Sequence, residues 1–236
     1  MQYKPIIGVI GGMGPQASAE FYRLLIEGAK RGYGAKDNAD FPEILLDSLP
    51  VPDFLSDTTL MEHAAHMLED RVRRLDAFGA SSITMACNTA CILSDRLQEQ
   101  TTRPFISVVD EVVRAVVHDG LTPVLLLASP TSLRMGLYQT KFARLGVPTF
   151  VPNPAEFHEL EYIIRGVIEG MDRGVLMQKL VRIAKRYSEK NDIHRIVLGC
   201  TELPLVFPHD YHGSLYSSLS ILAESVLKRY YTKEVL

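Results

Sequence analysis

The chain has 236 residues, of which 47% are hydrophobic and 22% charged, and its formal net charge is −3. These values are typical of a globular protein with a sizeable core, built as one large domain or two small ones. The small negative charge provides no basic surface for nucleic acid and no cationic face for lipid. Because the first apolar stretch is short and glycine-rich and no apolar run approaches a membrane span, we expect a cytoplasmic protein without nucleic-acid or membrane partners.

Short apolar runs alternate with amphipathic segments along the chain, which predicts an α/β fold with a largely parallel sheet. Strands are predicted at 6–10, 44–46, 82–86, 123–127, 149–151 and 195–198. Helices are predicted at 17–30, 58–78, 133–145, 155–169, 175–190 and 217–231. We expect the last helix to pack back on the first half of the molecule.

The order of these elements in the first half is repeated in the second. Cys87 and Cys200 lie 113 positions apart, each at the end of an apolar strand and followed within two positions by threonine. Tyr22 and Tyr138 lie 116 positions apart in the first helix of each half. The spacing predicts two similar doubly wound parallel-sheet domains related by a pseudo-two-fold axis. The expected domains are 1–104 plus 208–236, and 105–207.

The two repeated cysteines have the placement of reactive groups. The chain has three cysteines, an odd number without an export signal, which argues against a disulfide framework. In open α/β sheets, ligands lie beyond the carboxyl ends of the strands, where Cys87 and Cys200 are predicted to lie. A helix N-terminus beside each thiol is expected to lower its pKa and so favour the reactive thiolate. Cys91 has no counterpart in the second half and is interpreted as a packing residue.

Two thiols on either side of a small site suit one type of reaction. Inversion of a stereocentre beside a carboxylate needs a base on one face and an acid on the other. One cysteine would be a thiolate and the other a thiol, with the roles exchanged for the opposite enantiomer. Since two thiolates at close range repel, the pair is expected to titrate as a unit and to hold one proton.

Three segments carry a resemblance to a known family: GGMGP (11–15), ACNTA (86–90) and GCTELPL (199–205). In this order and at these spacings they resemble the signature segments of the aspartate/glutamate racemase family, and Glu202 favours its aspartate racemase branch. The resemblance implies an isomerase of amino acids or dicarboxylates that needs neither pyridoxal phosphate nor metal. Its active site would lie in the cleft between the two domains, with Cys87 and Cys200 as its two bases. A homodimer is expected. The residues implied as substrate contacts are Met13, Gly14, Asn88, Thr89, Thr131, Thr201 and Glu202.

The chain departs from the family pattern where a side-chain carboxylate would be held. Phe54 stands where aspartate racemases tend to have an arginine, and Asp172 followed by Arg173 stands near the position of a common lysine. If Phe54 lines the pocket, it would favour a smaller or less charged side chain than aspartate. Arg173, Arg134 or Lys141 would otherwise supply the cation. Weak turnover of aspartate, improved in Phe54→Arg, is the expectation.

Other functions remain open from the sequence. A hydantoin racemase, a maleate isomerase or an arylmalonate decarboxylase would share the two-domain plan. The spacing of Gly12, Gly14 and Ala17 after a strand imitates a dinucleotide fingerprint, with Asp47 as a ribose contact. A non-catalytic binding protein would leave the paired thiols unexplained. The seven histidines show no metal-ligand spacing, so no metal site is expected.

Overall fold

The computed structural model describes residues 4–53, 57–120, 122–208 and 210–232. The strands of the described residues are β1 (Ile6–Gly11), β2 (Glu43–Ser48), β3 (Ser82–Met85), β4 (Phe105–Ile106), β5 (Val124–Ala128), β6 (Thr149–Phe150), β7 (Arg195–Gly199) and β8 (Ser214–Ser217). The α-helices are α1 (Pro15–Tyr33), α2 (Met61–Phe78), α3 (Ser94–Gln98), α4 (Val108–His118), α5 (Pro130–Arg134), α6 (Gln139–Arg144), α7 (Phe157–Glu169), α8 (Arg173–Asn191) and α9 (Ser218–Thr232).

The eight strands form two four-stranded sheets with the same topology. The first sheet has the order β2-β1-β3-β4 and the second β6-β5-β7-β8, and every pairing is parallel. The strands β1, β3, β5 and β7 are buried along almost their whole length because helices cover both faces of each sheet. The expected α/β fold of two similar parallel-sheet units is confirmed.

The repeat places the two reactive cysteines at equivalent points. Cys87 follows β3 and Cys200 follows β7, and each of these strands pairs with the first strand of its own unit. The tyrosine landmarks are not equivalent, and that part of the prediction is wrong. Tyr138 is fully buried, whereas Tyr22 is 48% exposed and its neighbour Phe21 fills the core. The similar spacing of the tyrosines therefore does not reflect the repeat.

Two short strands lie in sheets that differ from those expected from the predicted domain boundaries. Residues 105–106 form β4 in the first sheet, although the expected second domain begins at 105. Residues 214–217 form β8 in the second sheet, although the segment 208–236 was expected in the first domain. Strands of two to four residues are too short to show an alternating pattern, and α4 after β4 was likewise not predicted. The final helix α9 packs against both α1 and α4.

Local backbone chemistry explains where several elements begin and end. Pro15 begins α1, where its missing N–H costs no helical hydrogen bond. Gly79 ends α2 with φ of 101°, a conformation that disfavours any other residue. The predicted helix 133–145 is two short helices, α5 and α6, because Gly136 takes φ of 65° between them. Within the described residues, none of the helices is long and apolar enough to cross a membrane.

Candidate active site

A cavity of about 260 Å³ lies between the two units, and both cysteines line it. Its walls come from the turn after β1, the segment after β2, the loops after β3 and β7, and one face of α7. The lining residues are Gly12, Met13, Gly14, Pro15, Val51, Pro52, Asp53, Cys87, Asn88, Thr89, Ile164, Arg165, Ile168, Cys200, Thr201 and Glu202. The cavity therefore lies at the carboxyl ends of the central strands, where ligands bind in open α/β sheets.

Backbone N–H groups surround the thiol of Cys87. The strand β3 ends two positions before this residue, and a short 3₁₀ helix, Thr89–Leu93, begins two positions after it. The N–H groups of Thr89 and Ala90 donate to the sulfur. Cys91 packs behind it and donates a hydrogen bond from its thiol to the carbonyl of Cys87. Cys91 is buried and does not line the cavity, as its interpretation as a packing residue requires.

The thiol of Cys200 has a carboxylate partner. Its Sγ donates to Oε2 of Glu202 over 3.1 Å, and the hydroxyl of Thr201 donates to the same oxygen over 3.0 Å. The other oxygen, Oε1, accepts the N–H of Gly14 from the first unit over 3.0 Å. Glu202 is 3% exposed. A buried carboxylate thus accepts the thiol hydrogen bond and joins the two sides of the cleft.

The expectation that helix N-termini lower the thiol pKa values is wrong in its net direction. Burial, and next the charge of Glu202, raise the pKa of Cys200 well above its ordinary value, and Cys87 raises it further. Burial also raises the pKa of Cys87, and the N–H groups of Thr89 and Ala90 offset only part of this effect. The helices that follow the cysteines are short 3₁₀ helices, Thr89–Leu93 and Leu203–Leu205, and their dipoles do not outweigh desolvation. Burial therefore favours the protonated form of both thiols in the folded protein.

The buried thiols make the stability of the protein depend on pH. Burial raises the pKa of Cys87, Cys91 and Cys200. Unfolded thiols ionise near pH 8.5, so the stabilisation is complete below that pH and is lost as the pH rises towards the folded pKa values. We expect the free energy of unfolding, measured with urea, to fall by about 1.4 kcal/mol per pH unit for each thiol between pH 9 and 10. In Cys91→Ala the slope should be smaller by the contribution of one thiol, about 1.4 kcal/mol per pH unit. A slope equal to that of the unchanged protein would contradict the raised pKa of Cys91.

Asn88 connects the Cys87 loop to the second unit through both ends of its amide. Its Nδ2 donates to Oγ of Ser218 over 3.0 Å, and its Oδ1 accepts the hydroxyl of Tyr138. The ring of Tyr138 also lies against Gly199, where an added Cβ would come within 2.9 Å of Cε2. Tyr138 thus contacts the residue after one cysteine and the residue before the other. The amide of Asn88, expected to contact substrate, is engaged by protein groups.

Removal of the Tyr138 hydroxyl should destabilise the protein without opening a cavity. In Tyr138→Phe the ring still packs on Gly199, but Oδ1 of Asn88 loses its donor in a buried position. We expect the free energy of unfolding in urea to fall by about 1–3 kcal/mol. Tyr162→Phe is the matched control, because Tyr162 is 43% exposed and its change should stay within about 0.5 kcal/mol. Equal effects of the two variants would contradict the role of this hydrogen bond.

The other implied substrate contacts fall into two groups. Met13, Gly14, Thr89 and Thr201 line the cavity, whereas Thr131 is buried in α5 and is not part of the lining. The hydroxyl of Thr89 is hydrogen-bonded to Oγ of Ser129 over 2.8 Å, a contact between the two units. Ser129 also accepts the N–H of Ser132 as the N-cap of α5.

The charged wall of the cavity comes from residues that are not among the predicted site residues. Nη1 of Arg165 lies 2.5 Å from Oδ2 of Asp53, and its Nε lies 2.8 Å from Oε1 of Glu161. Arg165 projects from α7 beside Ile164 and Ile168, which are neighbours on the same helical face. A pair separated by 112 positions leaves no local signal in the sequence. Phe54, the expected specificity residue, lies outside the described residues.

The cations proposed from the sequence lie elsewhere. Arg173 is the first residue of α8 and does not line the cavity. Lys141 pairs with Asp110 over 2.6 Å, and the guanidinium of Arg134 stacks over the ring of Phe157. Asp47, the ribose contact of the nucleotide-binding alternative, pairs with Arg71 over 2.8 Å and also lies outside the lining. Among the described residues, His, Cys, Asp and Glu side chains form no group of three arranged to hold a metal ion.

The chain belongs to the Asp/Glu/Hydantoin racemase family, whose sequence profile matches residues 10–223. The resemblance to aspartate and glutamate racemases is thereby confirmed. The chain is 23% identical over 228 residues to the broad specificity amino-acid racemase RacX of Bacillus subtilis (strain 168), covering 95% of this chain and 98% of that protein.

Two solved structures share the fold over nearly the whole chain. An aspartate racemase homologue from Pyrococcus horikoshii has a TM-score of 0.77 and 26% identity, over 97% of this chain and 100% of that one. The aspartate racemase of Picrophilus torridus has a TM-score of 0.83 and 23% identity, over 96% and 94% of the two chains. By family, therefore, the protein is a racemase, and it has the fold of these aspartate racemase structures.

Proposed function

We propose that the protein inverts Cα of an amino acid by a two-base mechanism, without pyridoxal phosphate or metal, with Cys87 and Cys200 as the two bases. The observation that carries the proposal is the approach of two thiols to one cavity from equivalent strand ends of a repeat. A free amino acid suits the cavity better than a hydantoin ring. The carboxylate of Glu202 in the lining can attract an α-ammonium group, and a hydantoin has none.

The reaction begins with formation of one thiolate. The thiol of Cys200 transfers its proton to Glu202, to which it is already hydrogen-bonded. The α-ammonium of the substrate favours this transfer, because an opposite charge nearby lowers a thiol pKa. The resulting thiolate takes the proton from Cα, and the negative charge spreads into the adjacent carboxylate.

The second thiol completes the inversion. Cys87 gives its proton to the opposite face of Cα, so the product leaves with Cys87 as the thiolate and Cys200 as the thiol. Cys87 then regains a proton from solvent, and Glu202 releases the one it accepted. For the other enantiomer, Cys87 is the base and Cys200 the acid. Every step is a proton transfer, so no oxidant, reductant or co-reactant is consumed.

Incubation of the purified protein with single enantiomers in D₂O tests the proposal. We expect deuterium at Cα together with loss of optical rotation, unchanged by EDTA and without added pyridoxal phosphate. Thiol alkylation should inactivate the protein, and bound substrate should slow the alkylation. Loss of turnover in chelator that an added metal restores would contradict the proposed chemistry.

A further inference from the structure

The cavity has an apolar wall beside its floor, which is formed by Cys87, Cys200 and Glu202. Val51 and Pro52 follow β2, and Ile164 and Ile168 project from α7, so that both units contribute to this wall. Ile168 lies close to the floor, because a Cβ added at Gly14 would be 3.2 Å from its Cγ1 and 3.3 Å from Oε1 of Glu202. If the α-groups of a substrate lie near Glu202, its side chain can therefore contact the aliphatic residues of this wall.

Arg165 is the sole cation among the described residues of the lining, and two carboxylates already neutralise it. Asp53 binds its Nη1 and Glu161 binds its Nε. The cluster of one guanidinium and two carboxylates is net negative, and Glu202 adds a further negative charge to the lining. A substrate carboxylate placed here would be repelled by the net negative charge of this cluster. The sequence at 54–56, Phe-Leu-Ser, adds no cation.

We propose that the side chain of the substrate is uncharged and largely aliphatic, and that the Asp53–Arg165–Glu161 cluster excludes a second carboxylate instead of binding it. This inference rests on the proposed racemase function. A leucine or methionine side chain would bury its methylenes against Val51, Ile164 and Ile168. Aspartate and glutamate would each bring a charge to the acidic side of the cluster. A hydrophobic pocket discriminates by about 10- to 200-fold for a difference of one methylene.

The test is a comparison of kcat/KM for Cα exchange in D₂O with single enantiomers of leucine, methionine, aspartate, glutamate and lysine. We expect leucine and methionine to exceed aspartate and glutamate by at least about 10-fold. A highest kcat/KM for aspartate, glutamate or lysine would overturn the inference and leave the racemase function standing. If none of the five exchanged its Cα proton, the racemase function itself would be overturned.

Asp53→Asn tests whether the ion cluster is the cause. Removal of this carboxylate takes one negative charge away from Arg165, so the ratio of kcat/KM for aspartate to that for leucine should rise by at least about 10-fold. Glu161→Gln should shift the ratio in the same direction. Glu159→Gln is the matched control, because Glu159 is on the same helix but pairs with Lys179 over 3.7 Å. An unchanged ratio in Asp53→Asn, or an equal change in the control, would overturn the inference.

Discussion

Cys87→Ala and Cys200→Ala should each lower the rate of racemisation by at least about 10²- to 10⁴-fold, the contribution usual for one general acid or base. Each variant keeps one thiol, so it can still remove the Cα proton from one face but cannot deliver a proton to the other. We therefore expect residual deuterium exchange from one enantiomer without inversion, and the two variants should prefer opposite enantiomers. The measurement is Cα exchange by NMR beside optical rotation.

Cys91→Ala is the matched control for both cysteine variants. It removes a buried thiol of the same loop that does not line the cavity. Its rate of racemisation should stay near that of the unchanged protein, even though its stability falls. Near-normal racemisation by Cys87→Ala or Cys200→Ala would refute the two-base mechanism.

Glu202→Gln should have the second-largest effect. The amide can still accept the N–H of Gly14, but it cannot take the proton of Cys200, whose pKa is raised by burial. We expect kcat/KM to fall by about 10²- to 10⁴-fold, with part of the loss recovered at higher pH as hydroxide replaces the missing acceptor. The pH profile between 7 and 10 measures this recovery.

Glu111→Gln separates this effect from a general loss of structure. Glu111 is buried, as Glu202 is, but it pairs with Arg114 and Arg229 and does not line the cavity. Its variant should lose stability and keep the pH profile of the unchanged protein. A profile for Glu202→Gln that matched this control would show that Glu202 does not accept the proton.

The positions of the cysteines could be predicted because their signal is local. An apolar strand that runs into a small polar turn is visible in the sequence, and its recurrence after 113 positions points to a repeat. The boundaries of the longer helices follow from glycine and proline in the same way. The short strands β4 and β8 could not be predicted, since two to four residues in a parallel sheet carry no periodicity.

The properties that depend on distant residues were missed or predicted wrongly. The direction of the thiol pKa shifts follows from burial by both units and from Glu202, and neither can be measured from the residues next to each cysteine. The pairing of Asp53 with Arg165 joins segments 112 positions apart. Arg173 is near a family position in the sequence but begins α8 away from the cavity, and the arginine that lines the cavity is Arg165 of α7.

The two cysteine loops share a position in the repeat but differ in chemistry, since one thiol meets backbone N–H groups and the other a carboxylate. The two enantiomers of an amino acid have the same free energy in water, and both directions pass through the same transition state. Because kcat/KM depends only on the gap between free reactants and that state, it must be equal for both enantiomers. If the unequal loops make kcat differ between the two enantiomers, KM must therefore differ between them by the same factor. At low substrate concentration the protein will therefore show no preference for either enantiomer, and a difference between them can appear only as matched differences in KM and kcat.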